Sequence, residues 1–236
     1  MEIFTRTKAL IGECGLKKLK NSQVLLCGCG GVGSYALEAL VRAGIGKITV
    51  IDADKVAISN LNRQLIATSD TVGMLKTDAA EIRAKSINPD IDFTGIPKFL
   101  DRQNTEELIP NNTDYIIDAV DFVPAKTALA EYAYQTDTPI ISCLGTGNRL
   151  DATQFEICDI FETSGCPLAR KMRCELKKAG VMKLDVLYSK APVIQPEYEI
   201  SDGGKRTVGS ISYVPSAAGL LLAQHVITSL LEGNRN

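Results

Sequence analysis

Ser22 to Ser34 reads SQVLLCGCGGVGS. The apolar run Ser22 to Gly28 closes on a glycine, and apolar residues at helical spacing (Val32, Ala36, Leu40 and Ala43, with Leu37 beside them) open just beyond it. That order predicts a buried strand, a tight turn and a helix. Gly28, Gly30 and Gly33 fall at the spacing of a nucleotide-binding fingerprint, and strand and helix supply the context that gives those glycines meaning. Gly28 permits the turn, Gly30 lets backbone approach a phosphate, and Gly33 lets the helix close on the strand. Gly31 stands in the same loop. The helix N-terminus offers unpaired N–H groups to an anion. KITVID, residues 47–52, is a second strand, and Asp52 ends it where a carboxylate accepts ribose hydroxyls. NAD, FAD, S-adenosylmethionine and ATP all satisfy this much.

Outward from this unit, strand and helix signals keep alternating. Thr77 to Ile87 is helical and stops at Asn88-Pro89; Ile91 to Ile96 and Tyr115 to Val120 are strand-like. Pro124 to Tyr134 is helical and Pro139 to Cys143 is again a strand. Such alternation predicts an α/β fold, a Rossmann-like, doubly wound, mainly parallel sheet. After Gly147 the pattern changes. Thr153 to Ile160 reads as a strand of a different unit, Leu168 to Ala179 as a basic helix, and Ser189 to Gly204 as a long loop. The expected organisation is a nucleotide-binding domain over residues 1–150 and a substrate-facing C-terminal extension over 151–236, packed on the same domain.

Composition bounds the function. The 236 residues are 45% hydrophobic and 23% charged, with a net charge of -2, so the whole molecule is no electrostatic nucleic-acid binder, although a local basic face is allowed. The opening MEIFTRTKAL lacks the apolar core of a signal peptide. Tyr213 to Leu231 contains Pro215, Gln224 and His225 and reads as a buried or amphipathic helix, so no stable membrane insertion is expected and the expected location is cytoplasmic. Seven cysteines, an odd number with no C-x-x-C pair, and one histidine argue for reduced thiols and against a structural zinc site.

The ligand choice narrows beyond the second strand. Asn60-Leu61-Asn62-Arg63-Gln64 follows it, and Lys76 follows Val72-Gly73. A triphosphate being cleaved needs fixed cations as charge builds on the leaving pyrophosphate, and Arg63 and Lys76 supply them. Asp118-Ala-Val-Asp121 ends a later strand, at the functional edge of an open sheet, where a carboxylate can hold Mg²⁺ with phosphate oxygens.

Together these marks resemble the ubiquitin-activating superfamily, which includes the thiamine- and molybdopterin-pathway adenylyltransferases. The resembling segment runs from about Phe4 to Gly147 and includes Asp52-x-Asp54, Asn60-x-x-Arg63-Gln64, Val72-Gly73-x-x-Lys76, Ile87-Asn88-Pro89 and Asp118-x-x-Asp121. The resemblance implies ATP and Mg²⁺ as cofactors, with Asp52 on the ribose, Asn60, Arg63 and Lys76 on the phosphates and Asp121 on the metal. Asp54 and Gln64 belong to the same implied nucleotide set, and Arg6 is implied to complete the ATP site of a homodimer partner. Within the superfamily the chain is most similar to the tRNA threonylcarbamoyladenosine dehydratases, through Thr7-Lys-Ala-Leu-Ile-Gly12, the basic helix, Tyr188-Ser189 and Lys205-Arg-Thr-Val-Gly-Ser210. That likeness implies tRNA as substrate: a carboxylate is adenylated, and the side chain then closes a ring with release of AMP. Some of those enzymes carry a cysteine after the Lys-Arg pair, whereas here Thr207 to Pro215 has none, so no covalent thiol step is expected there. The alternative is an adenylyltransferase acting on the C-terminal glycine of a ubiquitin-like sulfur carrier, with a sulfur-relay partner; the missing C-x-x-C pairs weigh against it.

Overall fold

Seven strands form one sheet in the order β3-β2-β1-β4-β5-β7-β6 in the computed structural model, which describes residues 2–198, 200–202 and 205–233, with 200–202 and 205–207 as backbone only. These strands are β1 (Gln23–Cys27), β2 (Lys47–Ile51), β3 (Asp92–Ile96), β4 (Tyr115–Asp118), β5 (Ile140–Cys143), β6 (Phe155–Asp159) and β7 (Asp185–Ser189). All neighbours are parallel except β6, which runs antiparallel to β7. The expected doubly wound α/β sheet is therefore present. Strand order reverses between β1 and β4, which opens the crevice in which such sheets bind ligands.

Helices α1 (Thr5–Asn21), α2 (Gly33–Ala43), α3 (Lys76–Ile87), α4 (Thr105–Leu108), α5 (Val123–Thr136), α6 (Pro167–Lys178) and α7 (Tyr213–Glu232) cover the sheet. β1 is buried at every position, because both its faces are covered. On one face, Leu37 and Leu40 of α2 pack with Val24 and Leu26 of β1 and with Leu222 and Val226 of α7; on the other, Leu129 of α5 packs with Leu25 and Ile116. Among the described residues α7 is the one helix long and apolar enough to cross a membrane, and its row Val214, Ala218, Leu222 and Val226 is buried within this chain. Gly219 permits the packing: a Cβ there would lie 2.2 Å from the Val32 carbonyl oxygen.

Thr153 to Ile160, expected as a strand of a different kind of unit, supplies β6, which joins the main sheet antiparallel to β7, because the apolar β7 (VLY at 186–188) needs a partner on its outer edge. One expectation is corrected. The stretch expected as a loop from Ser189 to Gly204 begins inside β7. It later carries β8 (Ile200–Asp202), which pairs antiparallel with β9 (Lys205–Thr207); Glu199, Gly203 and Gly204 lie outside the described residues.

Candidate active site

The first β-α turn is built by steric exclusion. Gly28 has φ +87°, and a Cβ there would come within 2.8 Å of the Ala119 carbonyl oxygen on the turn after β4. A Cβ on Gly33 would lie 1.9 Å from the Gly28 carbonyl oxygen, so only glycine lets α2 begin this close to β1. Asp52 fastens the same turn. Its Oδ2 accepts the Cys29 N–H at 2.7 Å and its Oδ1 accepts the Asp54 N–H at 2.9 Å. Burial raises the Asp52 pKa, and Lys76 opposes that rise.

Lys76 opens α3, with only 6% of its surface exposed. The Lys55–Leu75 bridge and the Lys76 N–H bond to the Asp54 carbonyl oxygen (2.9 Å) fold it back over the site. Its Nζ sits 2.7 Å from Asp54 Oδ2 and 3.8 Å from Asp52 Oδ1. Asn60 Oδ1 accepts the Ala57 N–H (3.1 Å), which makes it a turn cap. Arg63 follows one helical step later. Its Nη1 donates to Ser59 O (2.8 Å) and Asn62 Oδ1 (2.9 Å). Gln64 is buried beneath Gly30, and its Oε1 carries no hydrogen bond among the described residues.

These groups line one cleft of about 670 Å³, which contains Gly28, Gly30, Gly31, Asp52, Asp54, Asn60, Arg63, Gln64, Lys76 and Asp121. The nucleotide-site residues expected from the sequence thus meet here except Gly33, which packs against Gly28 behind the turn, and Arg6, which is exposed on α1 and does not line its own chain's cleft. Asp121 is exposed at the mouth, whereas Asp118, three residues earlier, is fully buried and faces away from solvent. Of the two carboxylates at this strand end, Asp121 alone is offered to a ligand.

Sequence reasoning missed several lining residues. Phe99 and Phe122 pair at the mouth with ring centroids 5.3 Å apart, and both are exposed. Phe122 stands next to Asp121, and an exposed aromatic beside a strand-end carboxylate was the available signal. The cleft then runs past Cys143, Thr146 and Gly147 to Leu168, Val208, Ser210 and Pro215, all from beyond the first β-α-β unit. Burial pushes the Cys143 thiol up to about 12. Asp118 accepts from buried Lys126 (2.9 Å) and from Ser142 (2.5 Å), and neither member of the ion pair has any exposure. Lys126 inside the run Ala125-Lys-Thr-Ala-Leu-Ala130 was the signal for a buried cation.

The basic face expected over 170–178 is smaller than its sequence suggests. Arg173 turns inward and donates to the Thr163 carbonyl (3.0 Å), satisfying a short helical turn that precedes α6. Lys178 pairs with Glu175, Lys183 with Asp185 and Lys190 with Glu156. Arg170, Lys171 and Lys177 remain exposed, and the side chains of Lys205 and Arg206 lie outside what is described.

A profile described as the ThiF family matches residues 4–236, nearly the whole chain. The chain belongs to the ThiF family. Among its relatives is the tRNA threonylcarbamoyladenosine dehydratase of Bacillus subtilis, 38% identical across 97% of this chain and 94% of that protein. The enzyme of the same name from Escherichia coli is 32% identical across 97% and 93%. The solved structure of the Escherichia coli dehydratase in complex with ATP superposes with a TM-score of 0.89 over 97% of this chain and 93% of that one. Another relative, the sulfur carrier protein ThiS adenylyltransferase of Bacillus subtilis, is equally identical at 38% but across only 58% of this chain and 42% of its own length.

Proposed function

We propose that this protein is an ATP-dependent tRNA threonylcarbamoyladenosine dehydratase. The observation that carries the reading is a single cleft lined both by Arg63, Lys76 and Asp121 and by Thr146, Gly147, Val208 and Ser210. The first group takes the nucleotide, and an acceptor carboxylate reaches its α-phosphate past the second. Near end-to-end likeness to dehydratases, against a partial match to a sulfur-carrier adenylyltransferase, favours tRNA over a carrier protein.

The chemistry follows from the groups present. A carboxylate at neutral pH is a poor electrophile. Its oxygen attacks the α-phosphorus, pyrophosphate leaves, and AMP becomes a good leaving group on the acyl carbon. Arg63 and Lys76 stabilise the departing pyrophosphate once Lys76 exchanges its Asp54 partner for phosphate oxygens. Asp52 faces the ribose and the exposed aromatic pair the base. A nucleophile within the modified side chain then closes the ring and expels AMP, so that the nucleoside loses one water overall. The ring closure gains from proximity and needs no enzyme thiol.

Mg²⁺ fits the site. No group of three or more metal-ligating side chains is present among the described residues, so the ion would be held by Asp121 together with phosphate oxygens and water, the arrangement Mg²⁺ favours. Bound there, it would neutralise charge on the phosphates. A homodimer in which Arg6 serves the partner's ATP is supported by the exposed apolar residues Ile3 and Leu10 flanking Arg6 and by Tyr213 and Leu220 on α7. Arg170, Lys171 and Lys177 offer phosphate contacts to tRNA. ATP and tRNA as reactants make the cytoplasm the working compartment.

Mass spectrometry of nucleosides from tRNA treated with protein, ATP and Mg²⁺ tests the proposal. A threonylcarbamoyladenosine product lighter by one water supports it. An unchanged nucleoside, with AMP formed only when a sulfur-carrier protein is supplied, would transfer the chain to the alternative.

A further inference from the structure

Val208 and Ser210 form part of the cleft wall, and two asparagines pin this wall. Asn148, on the loop after β5, donates its backbone N–H to the Gly209 carbonyl at 2.8 Å and accepts the Gly209 N–H on Oδ1 at 2.6 Å. Its own carbonyl takes the Ile194 N–H at 2.8 Å. Asn148 sits at φ +55°, a left-handed conformation that asparagine tolerates better than most residues. This first pin is made entirely of protein groups.

The second pin comes from the nucleotide side. Asn62 donates Nδ2–H to the Ser210 carbonyl at 3.1 Å, while its Oδ1 accepts from Arg63 Nη1 at 2.9 Å. Nη1 also serves Ser59 O, and the other guanidinium N–H groups of Arg63 carry no hydrogen bond among the described residues. They remain available to an anion in the cleft. A single amide therefore joins the candidate phosphate cation to the wall that carries Ser210. The position demands a side chain that accepts from a cation and donates to a carbonyl at once, which an amide does and a carboxylate or an alkyl group does not.

We propose that Asn62 is a positioning residue that couples nucleotide binding to acceptor binding. Phosphate held on the free N–H groups of Arg63 fixes the guanidinium, the fixed guanidinium fixes the Asn62 amide, and the amide holds Val208–Ser210 in place against the acceptor. The inference rests on the reading of Arg63 as a polyphosphate ligand. It adds order to the reaction: seating the nucleotide tightens a wall that Asn62 already holds, and so favours acceptor binding second.

Hydrogen exchange of the peptide spanning 208–212, with and without a non-hydrolysable ATP analogue and Mg²⁺, tests this in the full chain. In the wild-type protein nucleotide should slow exchange in this peptide by about fivefold, a modest coupling free energy between two sites. Asn62→Ala removes both bonds. Asn62→Asp keeps an acceptor for Arg63 and loses only the donor to Ser210. In both variants the slowing should vanish while nucleotide still protects the glycine turn at 28–33. In turnover assays with modified tRNA, Asn62→Ala should raise the acceptor KM about tenfold and change the ATP KM by less than about twofold, a split that general damage to the nucleotide site would not give. Slowing that persists in both variants overturns the inference. So does a wild-type wall indifferent to nucleotide while the glycine turn is protected. The exchange experiment needs no acceptor, so if tRNA proves not to be the substrate the dehydratase reading falls and the role of Asn62 is still decided. If nucleotide protects neither segment, the reading of Arg63 and the coupling fall together.

Discussion

Lys126 and Asp118 form an ion pair at 2.9 Å from which water is wholly excluded, beneath the strand end that carries Asp121. The pair is completed by the Ser142 hydroxyl, and Asp118 Oδ1 also takes the Val120 N–H at 3.2 Å. Desolvating two ions is costly, and only good geometry with further hydrogen bonds offsets it. The position of the 119–121 turn therefore depends on Lys126, although Lys126 does not line the cleft.

Lys126→Met should lower folding stability by about 3–5 kcal/mol, because it leaves Asp118 charged and buried without a partner. Lys126→Met combined with Asp118→Asn should recover most of that loss. Urea titrations of the two variants measure both effects. A single variant within about 1 kcal/mol of wild type would show that the pair is not charged as drawn.

Asp121→Ala should abolish Mg²⁺-dependent adenylation and leave the fold intact. Asp121 is exposed, and surface substitutions away from special features usually cost no more than about 0.5 kcal/mol. Pyrophosphate release and thermal unfolding are read side by side. Full activity in the folded variant removes Asp121 from the mechanism.

Arg6→Ala should be inactive if Arg6 serves the partner's site, and mixing it with inactive Asp121→Ala should restore part of the activity, since one site of the mixed dimer holds both residues. Asp121 is the better second variant than Lys76, whose buried ammonium holds Asp54 and whose loss would disturb the fold. Lack of rescue once subunit exchange has been demonstrated counts against action in trans.

The thiols should be dispensable. Cys143 lines the cleft, but burial holds its pKa near 12, so at neutral pH it is a protonated, weak nucleophile. Cys143→Ala, Cys158→Ser, Cys166→Ser and Cys174→Ser should each keep most of the cyclising activity. Alkylation at neutral pH should label exposed Cys14 and Cys174 before any other. A trapped acyl-thioester would name a nucleophile and end this prediction.

His225, the sole histidine, packs edge-on to the Tyr115 ring and has its pKa lowered by burial, with Asp185 opposing. A histidine kept neutral in the fold adds stability that is present above its unfolded pKa of about 6.5 and is lost as pH falls through the lower folded value. His225→Gln should flatten the stability profile over that window. An unchanged slope between wild type and variant assigns the acid loss to carboxylates instead.

How much was legible follows from what each signal depends on. The glycine turn, Asp52 and the alternating elements are local, and local spacing reveals them. Arg63 and Lys76 stood out as cations that follow a strand end, whereas Asn60 and Gln64 came in through the family resemblance. Asn60 nevertheless caps its turn and Lys76 is held by Asp54, which only coordinates reveal. The β6 pairing, the inward turn of Arg173 and the Asn62–Ser210 contact join residues distant in sequence or turn a surface-like charge inward. No periodicity encodes such contacts. Spacing alone left Asp118 and Asp121 alike; the resemblance pointed to Asp121, and burial of Asp118 separates them physically.

Gly219 places the middle of α7 in backbone contact with Val32, the residue from which α2 starts. The glycine turn is consequently clamped between β1, the turn after β4 and a helix from the other end of the chain, so these parts act as a stator. The cleft wall outside this clamp is the one that carries Val208 and Ser210. A methyl group at position 219 would act as a wedge driven into the stator, altering nucleotide affinity from a residue that never meets the nucleotide.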